Sequence, residues 1–225
     1  MLKRLHNNES TEISVKVLQH PHIRKRRKER RMNERKIPVN VIFIDIDGVL
    51  NCQTDVHDDS SRPYLNVELV RRFEEFCDLF EPLLVLTSSW REMRENADPT
   101  SVTGRLRSIE EVNGWFTSLK IPMRRIRDMT DPTTVSWSTE EEYASARAGE
   151  IQRWIIKKSE AYPDVCFNWI AFDDMRLPLP KAHFIHVADK TGLTVDSVNE
   201  GAKKLLSIIA TGDTHQPRHL PGHTQ

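Results

Sequence analysis

Val41-Ile42-Phe43-Ile44-Asp45-Ile46-Asp47-Gly48-Val49-Leu50-Asn51 is the stretch from which the fold of this 225-residue chain is read. Its four leading apolar residues spell a strand buried on both faces, as in the middle of a parallel sheet. Asp45 and Asp47 follow two residues apart, and in an extended chain residues i and i+2 face the same side. Both carboxylates therefore leave the sheet together at the strand's carboxyl end, where Gly48 permits a tight turn. Carboxylates are almost never buried without a partner. Two kinds of partner stay open here: the backbone of the next turn, which the aspartates would cap, or a cation such as Mg2+ together with a phosphate.

Further along, the same pattern recurs. Leu83-Leu84-Val85-Leu86 is a second buried strand, and its exit carries Thr87, Ser88 and Ser89. Hydroxyls at a helix N-terminus suit a phosphate oxygen, although an ordinary serine N-cap reads the same way. Val165 to Phe172 is another apolar strand, ending in Asp173 and Asp174, and Phe184 to Val187 is a last one. A less regular strand is expected within Met123 to Met129.

Helices alternate with these strands. Asn66 is an expected N-cap, followed by Glu68 in the first turn and a stripe of Val70, Phe73, Cys77 and Phe80 that stops at Pro82. Residues 91–121 read as helix, loop and helix, with Leu106, Ile109, Val112, Trp115, Phe116 and Leu119 on one face despite Gly114. A helix is predicted from about Thr139 to Lys158, capped by Thr139 or Ser138, with Glu140, Glu141 and Glu142 at its positive end. On it Arg147 continues the stripe of Ile151, Trp154 and Ile155, so its charge needs an anionic partner; Arg153 lies off that face. A final helix spans Asp196 to Ile209, with Ala202, Leu205, Leu206 and Ile209 expected inward. Alternating strands and helices give an α/β class, a parallel sheet with helices on both faces. In such a sheet ligands bind outside the carboxyl ends of the strands, where the polar residues gather.

Charge divides the chain in two. Of its 33 Lys/Arg and 33 Asp/Glu, residues 1–37 hold 12 and 4, leaving 21 and 29 for the rest. Residues 24–36 contain nine of those cations, a run that repels itself and is expected to be disordered when free. A polyanion such as nucleic acid is the partner it would suit, and a solvated tail is the alternative. Ile13, Val15 and Val17 alternate like a short strand. The expected organisation is a basic arm over 1–37, one domain over 38–210, and a disordered tail over 211–225 that carries His215, His219 and His223. Asn51 to Pro63, with His57, Asp58 and Asp59, is too short for a separate domain and is expected as a flap over the site. Cys52, Cys77 and Cys166 are odd in number and far apart, which argues against a disulfide framework or a cysteine zinc site. No apolar run reaches membrane length and no signal-peptide pattern opens the chain, so a cytoplasmic protein without membrane contact is expected.

Asp45-Ile46-Asp47-Gly48-Val49-Leu50 resembles the first motif of haloacid dehalogenase-like (HAD) phosphatases, DxDG[TV][LV]. FIDIDGVLN followed by LTSSWR is similar to the HAD domains associated with RNA-repair (Swiss Army Knife) proteins. The resemblance covers roughly Val39 to Ile209 and implies a Rossmann-like sheet with a minimal cap and the Asp173 strand beside the Asp45 strand. It implies Asp45 as nucleophile, Asp47 as acid and base, and Thr87 and Arg147 as stabilisers of the phosphoryl group. Ser88, Gly48 and Arg91 would join them as substrate-binding residues. Mg2+ would be held by Asp45, the backbone carbonyl of Asp47, Asp173 and Asp174. An acid at position 47 favours a phosphatase or phosphomutase over a dehalogenase or ion pump. The expected activity is Mg2+-dependent hydrolysis of a phosphorylated substrate, with nucleic-acid ends or nucleotides favoured by the basic arm. The alternatives are a catalytically weak nucleic-acid-binding or regulatory protein of this fold, and a small-metabolite phosphatase. No GxxxxGK[ST] pattern is present, which excludes a P-loop kinase within these residues.

Overall fold

A computed structural model describes residues 36–52, 65–93, 105–120, 123–133 and 138–213. Nearly all of the basic arm, of the flap and of the histidine tail lie outside the described residues, as does the short strand expected around Val15.

The apolar run before the aspartates is β1, Ile37–Ile44. Asn66 then caps helix α1, Val67–Phe80, by accepting from the backbone N–H groups of Glu68 and Leu69 at 3.0 and 3.2 Å. The helix buries Leu69, Val70, Phe73, Phe76 and Cys77 and ends at Glu81 in the left-handed region, just before Pro82. β2 follows as Leu83–Leu86 and pairs in parallel with β1, Ile44 opposite Leu86.

Beyond β2 the chain departs from expectation. Ser89–Arg91 is a single 3-10 turn rather than the start of a helix. It runs into β3, Glu92–Met93, which pairs antiparallel with β4, Arg105–Leu106. Leu106 therefore belongs to a strand, and helix α2 begins later, at Ile109–Ser118. Ser108 and Glu111 set that start with a reciprocal capping box. The third parallel strand is shorter than expected: β5 is only Asp128–Met129. Asn113 of α2 holds the segment before β5 instead, bonding both the N–H and the carbonyl of Ile126 at 2.8 and 2.9 Å.

Helix α3, Glu140–Ala161, has Thr139 as N-cap and three glutamates in its first turn, where the helix dipole favours them. β6, Val165–Asp173, β7, Phe184–His186, and helix α4, Val195–Thr211, complete the fold. The five-stranded parallel sheet has the order β5-β2-β1-β6-β7, so β6 lies beside β1. One face packs on α1, α2 and α4 through residues such as Phe73, Phe116, Phe172 and Leu205; the other packs on α3 through Phe43, Ile151, Trp154 and Trp169. Among the described residues no helix is long and apolar enough to cross a membrane.

The inward face of α4 differs from expectation. Leu205 is buried as expected, but Leu206 and Ile209 are 56% and 42% exposed, and Gly201 and Ile208 point inward. A Cβ at Gly201 would stand 2.6 Å from the Phe172 ring. The glycine lets the helix backbone approach that ring, and the close approach turns the line 201–205–208 to the sheet.

Candidate active site

The site is built where β1 and β6 end side by side. The Asp45 N–H donates to the Phe172 carbonyl at 3.1 Å, which holds the two strand exits in register. Asp45 and Asp173 are both buried there, and half-buried Asp174 joins them. One carboxylate oxygen of each lies within 4.8 Å of the others. Gly48, with φ +70°, turns the chain away above Asp174; a Cβ on it would meet the Asp174 carboxylate at 2.4 Å. Only glycine meets both demands.

From the other side, α3 brings Arg147 into the cluster. Its Nη1 donates to the Asp45 Oδ2 and to the Asp173 Oδ2, the latter at 2.9 Å. Its Nη2 donates to the Tyr143 hydroxyl at 2.9 Å, and the guanidinium lies over the Tyr143 ring. The remaining oxygens are also used: the Ile46 N–H donates to Asp45 Oδ1 at 2.7 Å and the Met175 N–H to Asp173 Oδ1 at 3.0 Å.

Three carboxylates thus face one guanidinium. Burial, and then the neighbouring charge of Asp45, raise the pKa of Asp173 against the pull of Arg147. The same two causes push Asp174 up to about 6. Burial alone would weaken the charge on Arg147, but Asp45 and Asp173 outweigh it and hold the guanidinium firmly protonated. An all-oxygen donor set with surplus negative charge fits Mg2+ in kind.

Asp47 stands apart from the cluster of three. Its carboxylate is exposed and accepts two hydrogen bonds, from Asn51 Nδ2 and from Trp90 Nε1, each at 2.9 Å. Thr87 is buried at the exit of β2, where its N–H donates to the Ile44 carbonyl at 3.0 Å, one residue before Asp45. Ser88 is buried beside it and accepts from the Trp90 N–H at 3.3 Å.

Arg91, expected among the substrate-binding residues, is not brought to the carboxylate cluster. Its guanidinium turns inward, donating to the Thr87 carbonyl at 2.6 Å, Thr130 Oγ1 at 2.7 Å and Glu150 Oε2 at 2.5 Å. A buried Glu150 one turn beyond Arg147 on α3 draws the charge away from the sheet ends. Arg153 is exposed and bonds Thr133 Oγ1, leaving Arg147 as the arginine of α3 that reaches the carboxylates.

Four residues at or beside the site were not singled out from sequence: Asn51, Trp90, Tyr143 and Glu150. Tyr143 and Glu150 sit four before and three after Arg147, on one helix surface, so their proximity was legible. Asn51 follows Asp47 across one turn, donating to it while accepting from the Gly48 N–H at 2.9 Å. Trp90 offers no sequence signal, since its partner lies 43 residues away.

The family model for the HAD domain in Swiss Army Knife RNA repair proteins matches residues 41–198. No curated protein and no solved structure matches the chain. The matched span begins in β1, runs through the exits of β1, β2 and β6 and through Arg147, and ends in the first turn of α4. On this match, and with the aspartates, Thr87 and Arg147 converging at one end of a Rossmann-like sheet, the chain belongs to the HAD family found in Swiss Army Knife RNA repair proteins.

Proposed function

We propose that this protein is a Mg2+-dependent phosphohydrolase that works through an aspartyl phosphate on Asp45 and acts on nucleic-acid ends or nucleotides. Its family is one of hydrolases acting on phosphorylated substrates. The observation that carries the finer proposal is the cluster of Asp45, Asp173 and Asp174 around Arg147 at the strand exits.

A carboxylate oxygen of Asp45 attacks phosphorus, and the bond from phosphorus to the ester oxygen breaks. The leaving oxygen takes a proton from Asp47. Asp47 then takes a proton from water; the resulting hydroxide attacks phosphorus, frees phosphate and restores the Asp45 carboxylate. Arg147 orients Asp45 and offsets negative charge on the phosphoryl oxygens, and the Thr87 hydroxyl and the Ser88 N–H supply further donors. Asp45, Asp173, Asp174 and the backbone carbonyl of Asp47 would hold Mg2+, which would supply further positive charge to offset the phosphoryl oxygens.

The basic run over 24–36 supports nucleic acid as the substrate class, as does the RNA-repair association of the family. The test is turnover of an aryl phosphate with Mg2+ by the wild type and by Asp45→Asn. The variant should keep the wild-type circular dichroism and lose all measurable turnover. A variant that keeps full activity sinks the assignment. Wild-type preference for phosphorylated polynucleotide ends over free sugar phosphates is the expected substrate result.

A further inference from the structure

The acid and base of the proposed reaction has a structural weakness that its neighbours do not share. Asp45 and Asp173 are buried and clamped by Arg147, whereas Asp47 is exposed on the loop after β1. An exposed aspartate samples several rotamers, and a proton donor loses efficiency when its oxygen is out of line with the leaving group. Asn51 restrains one oxygen from within the same turn. Trp90 restrains the other from a different strand exit.

Trp90 is built to stay in place. It is nearly buried, in the 3-10 turn that directly follows Thr87 and Ser88. Its ring packs on Trp115 with centroids 4.3 Å apart and on Phe116 at 6.1 Å, both on α2. The Arg107 guanidinium lies over Trp115 at 4.7 Å, and the Arg107 N–H donates to the Arg91 carbonyl at 2.9 Å, which ties the stack back to the same turn. An indole N–H is a donor only, so it restrains the oxygen it meets without taking the proton. The oxygen keeps a second lone-pair site for the leaving group or for water.

We propose that Trp90 is a positioning residue for Asp47: it fixes the acid's side chain relative to the phosphate-binding turn that carries Thr87 and Ser88. This rests on Asp47 being the acid and base. Because turn 87–91 carries both Thr87 and Trp90, phosphate site and acid are set by one rigid piece of backbone. The indole N–H thus acts on proton transfer and not on substrate affinity.

Trp90→Phe keeps an aromatic ring against Trp115 and removes the N–H together with part of the bicyclic ring. On an alkyl phosphate, whose leaving oxygen needs a proton, kcat should fall about tenfold with KM little changed, the size of one lost hydrogen bond to a carboxylate. The first-step burst on an aryl phosphate with an acidic leaving group should change by less than about twofold. In an Asp47→Asn background, Trp90→Phe should add almost nothing, since the pair acts as one unit. Losses that are equal for both leaving groups, or that add in the double variant, overturn the proposal. If Asp47→Asn alone leaves turnover unchanged, the acid assignment has failed. If Trp90→Phe unfolds, replacing Trp90 with benzothienylalanine, which keeps the bicyclic ring and lacks the N–H, becomes the probe, and equal losses for both leaving groups there overturn the proposal.

Discussion

Two buried arginines meet acidic side chains in this molecule, and their surroundings differ in one decisive respect. Arg91 is 2% exposed and faces one carboxylate, that of Glu150. Arg147, 4% exposed and one turn earlier on the helix that carries Glu150, faces Asp45 and Asp173 directly, with Asp174 beside them. The first pair is balanced in charge, and Arg91 Nη1 donates to the Thr87 carbonyl and to Thr130 Oγ1 inside the protein. The second group carries an excess of carboxylates; burial first, and then the charge of Asp45, lifts the Asp173 and Asp174 pKa values. A balanced buried pair has an adequate explanation in structure. An unbalanced one calls for a further cation and marks a site where a charged ligand is handled.

Breaking the balanced pair should have the larger effect on folding. Arg91→Met leaves Glu150 buried without its counter-ion and should cost about 3–5 kcal/mol in urea unfolding. Adding Glu150→Leu should recover most of that loss, because an apolar pair of similar volume replaces the ion pair. A single variant as stable as wild type would mean that Arg91 and Glu150 are not coupled.

Arg147→Ala should act on rate instead. With Mg2+ present, turnover of a phosphate ester should fall by about 10²–10³, the effect of removing one stabiliser of developing charge. Its loss of stability should be smaller than that of Arg91→Met, because Asp173 and Asp174 take up protons readily once the guanidinium is gone. If Arg147→Ala destabilised more than Arg91→Met and spared turnover, the roles assigned to the two arginines would be reversed.

How much of this was legible in the sequence follows the range of the contacts. β1 and the two carboxylates at its exit are local patterns, and so are the Asn66 cap of α1 and the placement of Arg147 on the buried face of α3. β3 and β4 have two residues each, too few for any periodicity to show. The Ser108–Glu111 box was readable as S-x-x-E, but Leu106 drew the expected helix across a segment that forms a strand. The inward face of α4 turns on a single close approach, Gly201 against Phe172, which no pattern within the helix reveals. Arg91 was expected among the substrate-binding residues on the family resemblance alone; its partner Glu150 lies 59 residues away, and only the packing of α3 on the sheet decides that contact.

The central claim is that the surplus of carboxylates around Arg147 is answered by a divalent cation. Calorimetric titration of Mg2+ into the full chain tests it most directly. One ion should bind per chain, and Asp173→Asn should abolish the heat. Without metal, the raised pKa values of Asp173 and Asp174 give stability at low pH that is lost as pH rises through about 6 for Asp174 and higher still for Asp173. Metal and protons compete for the same oxygens, so Mg2+ affinity should rise across that window. Absence of Mg2+ binding by the wild type above pH 7, or binding that Asp173→Asn leaves intact, would contradict the account.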